Sequence, residues 1–432
     1  MSEKRHRQQQ RRQRRKAARR SHSTGQAKRR GLDHELAELL AGIATIALQD
    51  AHEPSDALEA EQWASGLIGT LHVRAMLGED VEELFLPGFI AEVERIGTPR
   101  ALATLRALGA VGADRHGRRA RAAADRLASR GLPEPPWSHA LGLSRPTAAA
   151  LMSDEVFDDG VSVLVQFSAA VEQHTLVIYI DHNMGGLVKD VFLAGPLAEV
   201  RRELDRQRDE EAGPAIRELD LAEARARVED ALYMLDHTYA PPVSEDVRLL
   251  RALIEARIRL LPDGAVLPDE HGAATPKERD ELLADFLASN QGRRWRGDEH
   301  AEEIVALAID FGADYNHGGP LRWSSVVVEI FMTSWLARKI AREPEFFERV
   351  PDVLPDWVAY AGRRRGVPAV PLREAVASVE DYREEMLDAT SDPEAWGPAK
   401  AFAVAAQHAG VDLSDPDAVA RFVDQYNSGL AA

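Results

Sequence analysis

The spacing of apolar residues differs in one central stretch of this 432-residue chain, and that difference is the strongest indication of its fold. Over most of the chain apolar side chains recur every three or four residues, as Leu36, Leu39, Leu40 and Ile43 do, which is typical of one face of a helix. Between 161 and 195 short runs rich in β-branched residues replace that pattern. The sequence therefore predicts a mainly α, multi-helical protein with a small central antiparallel α+β unit of three to four strands.

The predicted strands are the runs VSVLVQFSA (161–169), HTLVIYID (174–181) and LVKDVFLAG (187–195), with PAIREL (214–219) as the fourth. The Gly pair in HNMGG supplies the positive φ of a tight hairpin between the second and third runs. A two-residue Met184-Gly185 turn would place Asp181 opposite Val188 and Tyr179 opposite Asp190.

The rest of the sequence predicts helices, which form one domain before the α+β unit and one after it. Thr98-Pro99 opens a short helical pair that ends near Arg130 and is typical of a HEAT-type repeat, with a DNA-binding helix-turn-helix as the alternative. One more short helix is expected at 146–153. No apolar stretch is long enough to span a membrane. The predicted division is a tail at 1–31, a helical domain at 32–150, the α+β unit at 151–262 and a helical C-terminal domain at 263–432.

Charge is distributed unevenly between the ends of the chain. Of 53 Lys/Arg and 71 Asp/Glu residues, 13 basic and one acidic lie in 1–31, which leaves 40 basic and 70 acidic residues in the body. The tail therefore carries +12 and the body −30. The tail has no Leu, Ile or Val before Leu32 and cannot bury a core, so we expect it to be disordered by itself.

Three partners for the tail are compatible with this composition. A polybasic arm can neutralise the phosphates of nucleic acid or of another polyanion, it can bind an anionic membrane surface, or it can fold onto its own acidic body as a solubility tail. We favour a cytoplasmic location, because no apolar stretch of a secretory signal follows the charges. The residues expected to contact a polyanion are Arg11, Arg12, Arg14, Arg15, Lys16, Arg19 and Arg20.

Several classes of chemistry are excluded by composition and motif. The chain has no cysteine, so it has no disulfide, no Cys-ligated zinc or iron–sulfur site and no cysteine nucleophile. It also lacks the phosphate-binding loop G-x-x-x-x-G-K-[ST], the dinucleotide fingerprint G-x-G-x-x-G and the nucleophile elbow G-x-S-x-G. The sequence therefore leaves the cofactor and any metal unknown.

The hairpin IDHNMGGLVKD contains the candidate site residues. In the predicted register Asp181 and Asp190 are diagonal neighbours on one face, and two close carboxylates can bind a hard cation or act as acid and base. His182 and Lys189 lie on the other face, and Lys189 is the only lysine between Lys28 and Lys277. The structural alternative is that Asp, His and Asn are ordinary turn residues, and that a lysine at an edge blocks aggregation.

A second group of polar residues lies in the loop DYNHGGPLRWSS (314–325). Its Asp314, His317, Arg322 and Trp323 are suited to a ligand site, and helix capping with a tryptophan anchor is the structural alternative. His237, at a predicted helix end, is expected to interact with the last carbonyls of that helix unless the fold brings it to Asp181.

Two functions follow from these observations. The first is a non-enzymatic interaction protein whose polybasic arm binds nucleic acid or another polyanion, with a protein partner for the acidic body. The alternative is a metal-assisted or acid/base enzyme with its site on the hairpin around Asp181 and Asp190.

Overall fold

Helices surround a five-stranded antiparallel sheet in the computed structural model of the chain. The predicted fold class is confirmed. The predicted tail and its basic residues lie outside the described part of the chain. The structure describes residues 41–48, 54–73, 81–112, 114–153, 156–169, 172–207, 215–238, 241–267, 274–411 and 415–430.

The four predicted strands form, and the sheet contains one strand that the sequence did not predict. The strands are β1 (Arg145–Ser153), β2 (Gly160–Ala169), β3 (Glu172–Asp181), β4 (Leu187–Ala194) and β5 (Ala215–Leu219). Their order in the sheet is β4-β3-β2-β1-β5.

The helix expected at 146–153 is wrong, because this segment is strand β1. Its Ala148-Ala149-Ala150-Leu151 run has high helix propensity. However, β1 pairs with β2 on one side and β5 on the other, with Ala150 opposite both Leu164 and Glu218. Pairing on both edges and burial of Ala149, Ala150 and Leu151 outweigh the local preference.

The hairpin turn also differs from the prediction. Residues His182–Met184 form a 3₁₀ turn, and Gly185 and Gly186 follow with φ of 79° and 80°, so five residues connect β3 to β4. Tyr179 lies opposite Asp190 as predicted, whereas Asp181 lies opposite Leu187 rather than Val188. The register shifts after Tyr179, which makes Lys189 the extra residue of a β-bulge.

In the described part of the chain, five helices precede the sheet and pack on one another. Thr98 caps the fourth of them by accepting a hydrogen bond from the Ala101 amide, as its Thr-Pro sequence predicts. The core of this region also includes Ala252 and Leu253 from a helix beyond the sheet. The helices up to β1 are α1 (41–48), α2 (Ala57–Val73), α3 (Val81–Ile96), α4 (Pro99–Val111) and α5 (Asp114–Ser129).

Three helices cover the sheet. Two pack on the face that carries Val163, Val165, Leu176 and Ile178, and one covers part of the opposite face around Leu164. They are α7 (Leu221–His237) and α8 (Glu245–Ile258) on the first face, and α6 (Leu197–Gln207) on the second.

The C-terminal helices share a core rich in aromatic residues, with Phe311, Trp323, Phe331 and Trp357 among its members. Within this region Ile330–Leu336 form a π-helix. These helices are α9 (Pro276–Ala288), α10 (Glu299–Asp314), α11 (Ser325–Glu329), α12 (Ala337–Lys339), α13 (Pro344–Arg365), α14 (Ala369–Asp381), α15 (Arg383–Ser391), α16 (Pro398–His408) and α17 (Pro416–Leu430).

Among the described residues, every helix is too short or too polar to cross a membrane. The predicted division into domains and the HEAT-like character of α4 and α5 stay predictions.

Candidate metal centre

Three loops meet at one edge of the sheet. Gly160 at the start of β2 pairs with Asp181 at the end of β3, and Asp181 also pairs with Leu187 at the start of β4. The loop before β2 and the turn after β3 therefore lie side by side. The third loop, 315–324, connects α10 to α11. Through Arg322 it contacts both the loop before β2 and the turn after β3.

These loops bring together a carboxylate and two imidazoles. Asp158 comes from the loop before β2, His182 from the turn after β3, and His317 from the loop after α10. One potential ligand atom from each lies within 4.8 Å of the other two. The two imidazole rings stack with their centroids 4.0 Å apart and an interplanar angle of 27°.

The carboxylate and the hairpin histidine also contact each other directly. The Nδ1 atom of His182 lies 3.0 Å from the backbone oxygen of Asp158 and 3.3 Å from its Oδ1. The His182 amide donates a hydrogen bond of 3.0 Å to the Asp159 carbonyl. The hairpin turn is thus attached to the loop before β2 through both backbone and side chain.

Asp158 has an unusual backbone conformation. Its φ is 59°, and it is the one non-glycine residue with positive φ in the described part of the chain. Asp tolerates this region better than most residues, yet the conformation costs free energy and persists only where the surroundings impose it. Such residues are concentrated at functional sites, which supports a role for Asp158 beyond packing.

Burial by itself would raise the pKa of Asp158. The hydrogen bond with His182 and the charges of His182, His317 and Arg322 oppose it, and together they hold the pKa below its usual value. The carboxyl group is therefore ionised at neutral pH, which is the form that binds a metal ion.

Arg322 connects the three loops. Its side chain is fully buried. One Nη donates to Asp159 Oδ1 at 2.6 Å, and the other donates to the side-chain oxygens of Asn183, at 2.7 Å, and of Asn316. Its Nε donates to the backbone oxygen of His317. Arg322 is therefore a positioning residue whose donors are used within the protein.

The predicted site residues separate into two groups. His182 and His317 belong to the cluster, and Asp181 lies next to it, buried and paired with Lys189. Asp190 accepts a hydrogen bond from the Val191 amide and takes no part in the cluster.

The structural alternatives for these segments are also realised in part. Asp181 caps the 3₁₀ turn by accepting from the Asn183 amide, and buried Trp323 donates to the Pro320 carbonyl. His237 contacts the Tyr233 carbonyl at its helix end, and Asp314 pairs with Arg279. Residues of these segments that form turns and helix caps thus lie next to the residues of the candidate metal centre.

Sequence reasoning missed Asp158 and Asp159. The available signal was the run Asp-Asp-Gly directly before a predicted strand, at the edge where the next strand ends in Asp-His-Asn. The positive φ of Asp158 and its proximity to His317 depend on tertiary contacts.

Two nitrogen ligands and one carboxylate are suited to a divalent transition metal. Ca²⁺ and Mg²⁺ prefer sites made wholly of oxygen, whereas this combination occurs with Zn²⁺ and with non-haem Fe²⁺. Three protein ligands leave positions for water or substrate, which is the pattern of catalytic rather than closed structural zinc sites.

Comparison with protein-family models, with curated proteins and with solved structures finds no match to this chain.

Proposed function

We propose that this protein is a metal-dependent enzyme whose single divalent transition-metal ion is held by Asp158, His182 and His317. The observation that carries the proposal is the convergence of these three side chains from three separate loops. This function is the metal-assisted enzyme that the sequence suggested as an alternative. The proposed metal site, however, is the neighbouring cluster rather than Asp181 and Asp190.

The chemistry supported by this geometry is Lewis-acid activation of water. An ion with three protein ligands would lower the pKa of a bound water molecule to about 7 and supply hydroxide at neutral pH. His182 and His317 are buried, whereas the Asp158 side chain is 41% exposed. Substrate would therefore approach from the side of Asp158.

Metal titration tests the proposal. We expect the full-length chain to bind Zn²⁺, and bound Co²⁺ to show visible absorption bands of nitrogen and oxygen ligation. His182→Gln and His317→Gln should weaken Zn²⁺ binding at least tenfold, whereas Asp190→Ala and His237→Gln, outside the cluster, should bind as the wild type does. Equal binding by all four variants would show that the cluster is not the metal site.

A second measurement separates an enzyme from a structural metal protein. With Mn²⁺ bound, relaxation of solvent protons reports whether the ion keeps an exchangeable water molecule. We expect at least one such molecule, because the protein supplies three ligands. An ion without exchangeable water would contradict the enzymatic proposal.

The basic tail supports a separate proposal. We infer that residues 1–31 bind nucleic acid or another polyanion in the cytoplasm, because a +12 segment on a −30 body concentrates the phosphate-binding charge in one place. Binding of labelled DNA and RNA across a salt series should show a steep salt dependence for the full chain. A chain starting at Leu32 should lose that binding, and if it binds equally the arm is not the anchor.

A further inference from the structure

We propose that the substrate of this centre carries an oxyanion group, a phosphate or a carboxylate, and that Arg365 binds that group. The inference rests on the proposed metal centre and adds the substrate class. It concerns a guanidinium group that lies beside Gly318, the residue after His317, and is separate from the buried Arg322.

Arg365 is the last residue of α13 and is exposed. One of its Nη atoms would lie 3.4 Å from a Cβ added at Gly318, the residue that follows His317. The guanidinium group therefore rests against the loop that carries a proposed metal ligand. A Cβ at the next residue, Gly319, would have no heavy atom within 4 Å, so there is free space beside this loop.

The Arg365 side chain has no hydrogen bond or ion pair with any other residue in the described ranges. The preceding Arg364 differs, since it contacts Asp285 and Tyr360. Arg365 is also close enough to Arg322 for its charge to help lower the pKa of that buried group, after the larger effect of burial. Two guanidinium groups thus lie close together beside this loop, and the exposed one is available to bind an anion.

The charges of the centre lead to the same conclusion. Asp159 neutralises Arg322, and Lys189 is neutralised by Asp181. A bound divalent ion would exceed the charge of Asp158 by one, and Arg365 adds a second positive charge. The centre would thus be positive within a body that carries −30. A local positive site in an acidic protein selects anionic ligands by steering and by direct contact.

The guanidinium fork fits phosphate and carboxylate equally, because both present two oxygens in the plane of its N–H donors. An ion at the Asp158 cluster and Arg365 at the adjacent loop could then hold a substrate at two points. The ion would polarise the reacting group, and Arg365 would fix the orientation of the anionic group.

Isothermal titration of the Co²⁺-loaded full-length chain with inorganic phosphate, and separately with succinate, tests this assignment. We expect at least one of the two ligands to bind, and Arg365→Ala to weaken that binding at least tenfold without changing the affinity for Co²⁺. Arg363→Ala is the matched control, because Arg363 is an exposed arginine two residues earlier on the same helix. Anion binding by the basic tail is the same in all variants and cancels in the comparison.

The outcomes separate the two proposals. Equal anion binding by Arg365→Ala and the wild type, or no anion binding by the loaded wild type, would overturn the assignment of Arg365. Loss of binding in Arg363→Ala to the same extent would also overturn it. If Co²⁺ does not bind, the metal proposal fails, and the same titration without metal shows whether Arg365 still forms an anion site. Preference for phosphate or for succinate identifies the anionic group.

Discussion

Two buried cationic side chains differ in how completely their hydrogen-bond donors are satisfied. Arg322 and Lys400 are both almost wholly buried, yet their surroundings differ. Arg322 donates to two asparagine side chains, a carboxylate and a carbonyl. Lys400 has one acceptor, the Thr390 carbonyl at 3.2 Å, and lies 5.1 Å from the ring centroids of Phe347 and Trp396. A satisfied cation organises its neighbours, whereas a poorly satisfied one costs stability.

Replacement of Arg322 by lysine should destabilise the fold and the metal centre together. One ammonium cannot replace the fork that reaches Asp159, Asn183 and Asn316, so buried polar groups lose their partners. We expect the free energy of unfolding in urea to fall by about 3 kcal/mol, and Zn²⁺ to bind more weakly. Arg363→Lys on the surface should change neither quantity, and a similar loss in both variants would contradict the assigned role of Arg322.

Lys400 should make the stability depend on alkaline pH. Burial lowers its pKa from 10.5 to about 8. Between these values the unfolded chain binds a proton that the folded chain does not, so the free energy of unfolding should rise as pH increases from 8 to 10.5, by at most about 3 kcal/mol. Lys400→Met should remove this rise, and Lys277→Met, at an exposed lysine, should retain it. Urea unfolding at pH 8 and 10 measures the difference.

At the scale of elements, close backbone contact sets the position of the His317 loop. Helix α10 meets that loop at Gly312, where an added Cβ would lie 2.4 Å from the Pro320 Cα. The loop can return across the helix only because this position lacks a side chain. The geometry of the site therefore depends on Gly312, which lies on the helix before His317 and is not itself a proposed ligand.

Gly312→Ala should displace the loop 315–324. Overpacking of backbone against backbone typically costs about 1–3 kcal/mol, and a shift of His317 should weaken Zn²⁺ binding as well. Gly66→Ala in α2 is the matched control, since its nearest neighbour would be 4.0 Å away. The control should be neutral or stabilising by up to about 1 kcal/mol. Wild-type stability and metal affinity in Gly312→Ala would disprove this account of the loop.

At the scale of the whole molecule, a buried polar contact joins the N-terminal helices to the sheet. Arg257 of α8 pairs with Glu61 of α2, and its Nε lies 3.5 Å from Nε2 of His174 on β3. His174 also stacks on Phe167. All three polar side chains are buried. The contact therefore adds a buried charge pair to the other polar contacts between α2 and α8, such as the hydrogen bond from the Leu253 amide to Ser65 Oγ.

His174 should make the molecule sensitive to mild acid. Burial, and secondarily the charge of Arg257, lowers its pKa from 6.5 to about 4. Between pH 6.5 and 4 this histidine binds a proton in the unfolded chain but not in the folded chain. The free energy of unfolding should therefore fall as pH decreases from 6.5 to 4, by up to about 3 kcal/mol. His174→Gln should reduce this slope in urea titrations, while His139→Gln, at an exposed histidine, should not. Identical slopes would exclude His174 as the source.

The fold class, four of the five strands and the loops that contain the polar residues of the candidate site could be predicted from the sequence. Periodicity and turn residues are local properties, so His182, His317 and Arg322 could be found within their own loops. It could not identify strand β1, because an alanine-rich run becomes a strand only when partners lie on both edges. Nor could it identify Asp158 or place Asp181: a bulge at Lys189 changes the register at Asp181, and contacts across more than a hundred residues bring Asp158 to His317. Local preference decides which elements form, and long-range packing decides which side chains meet.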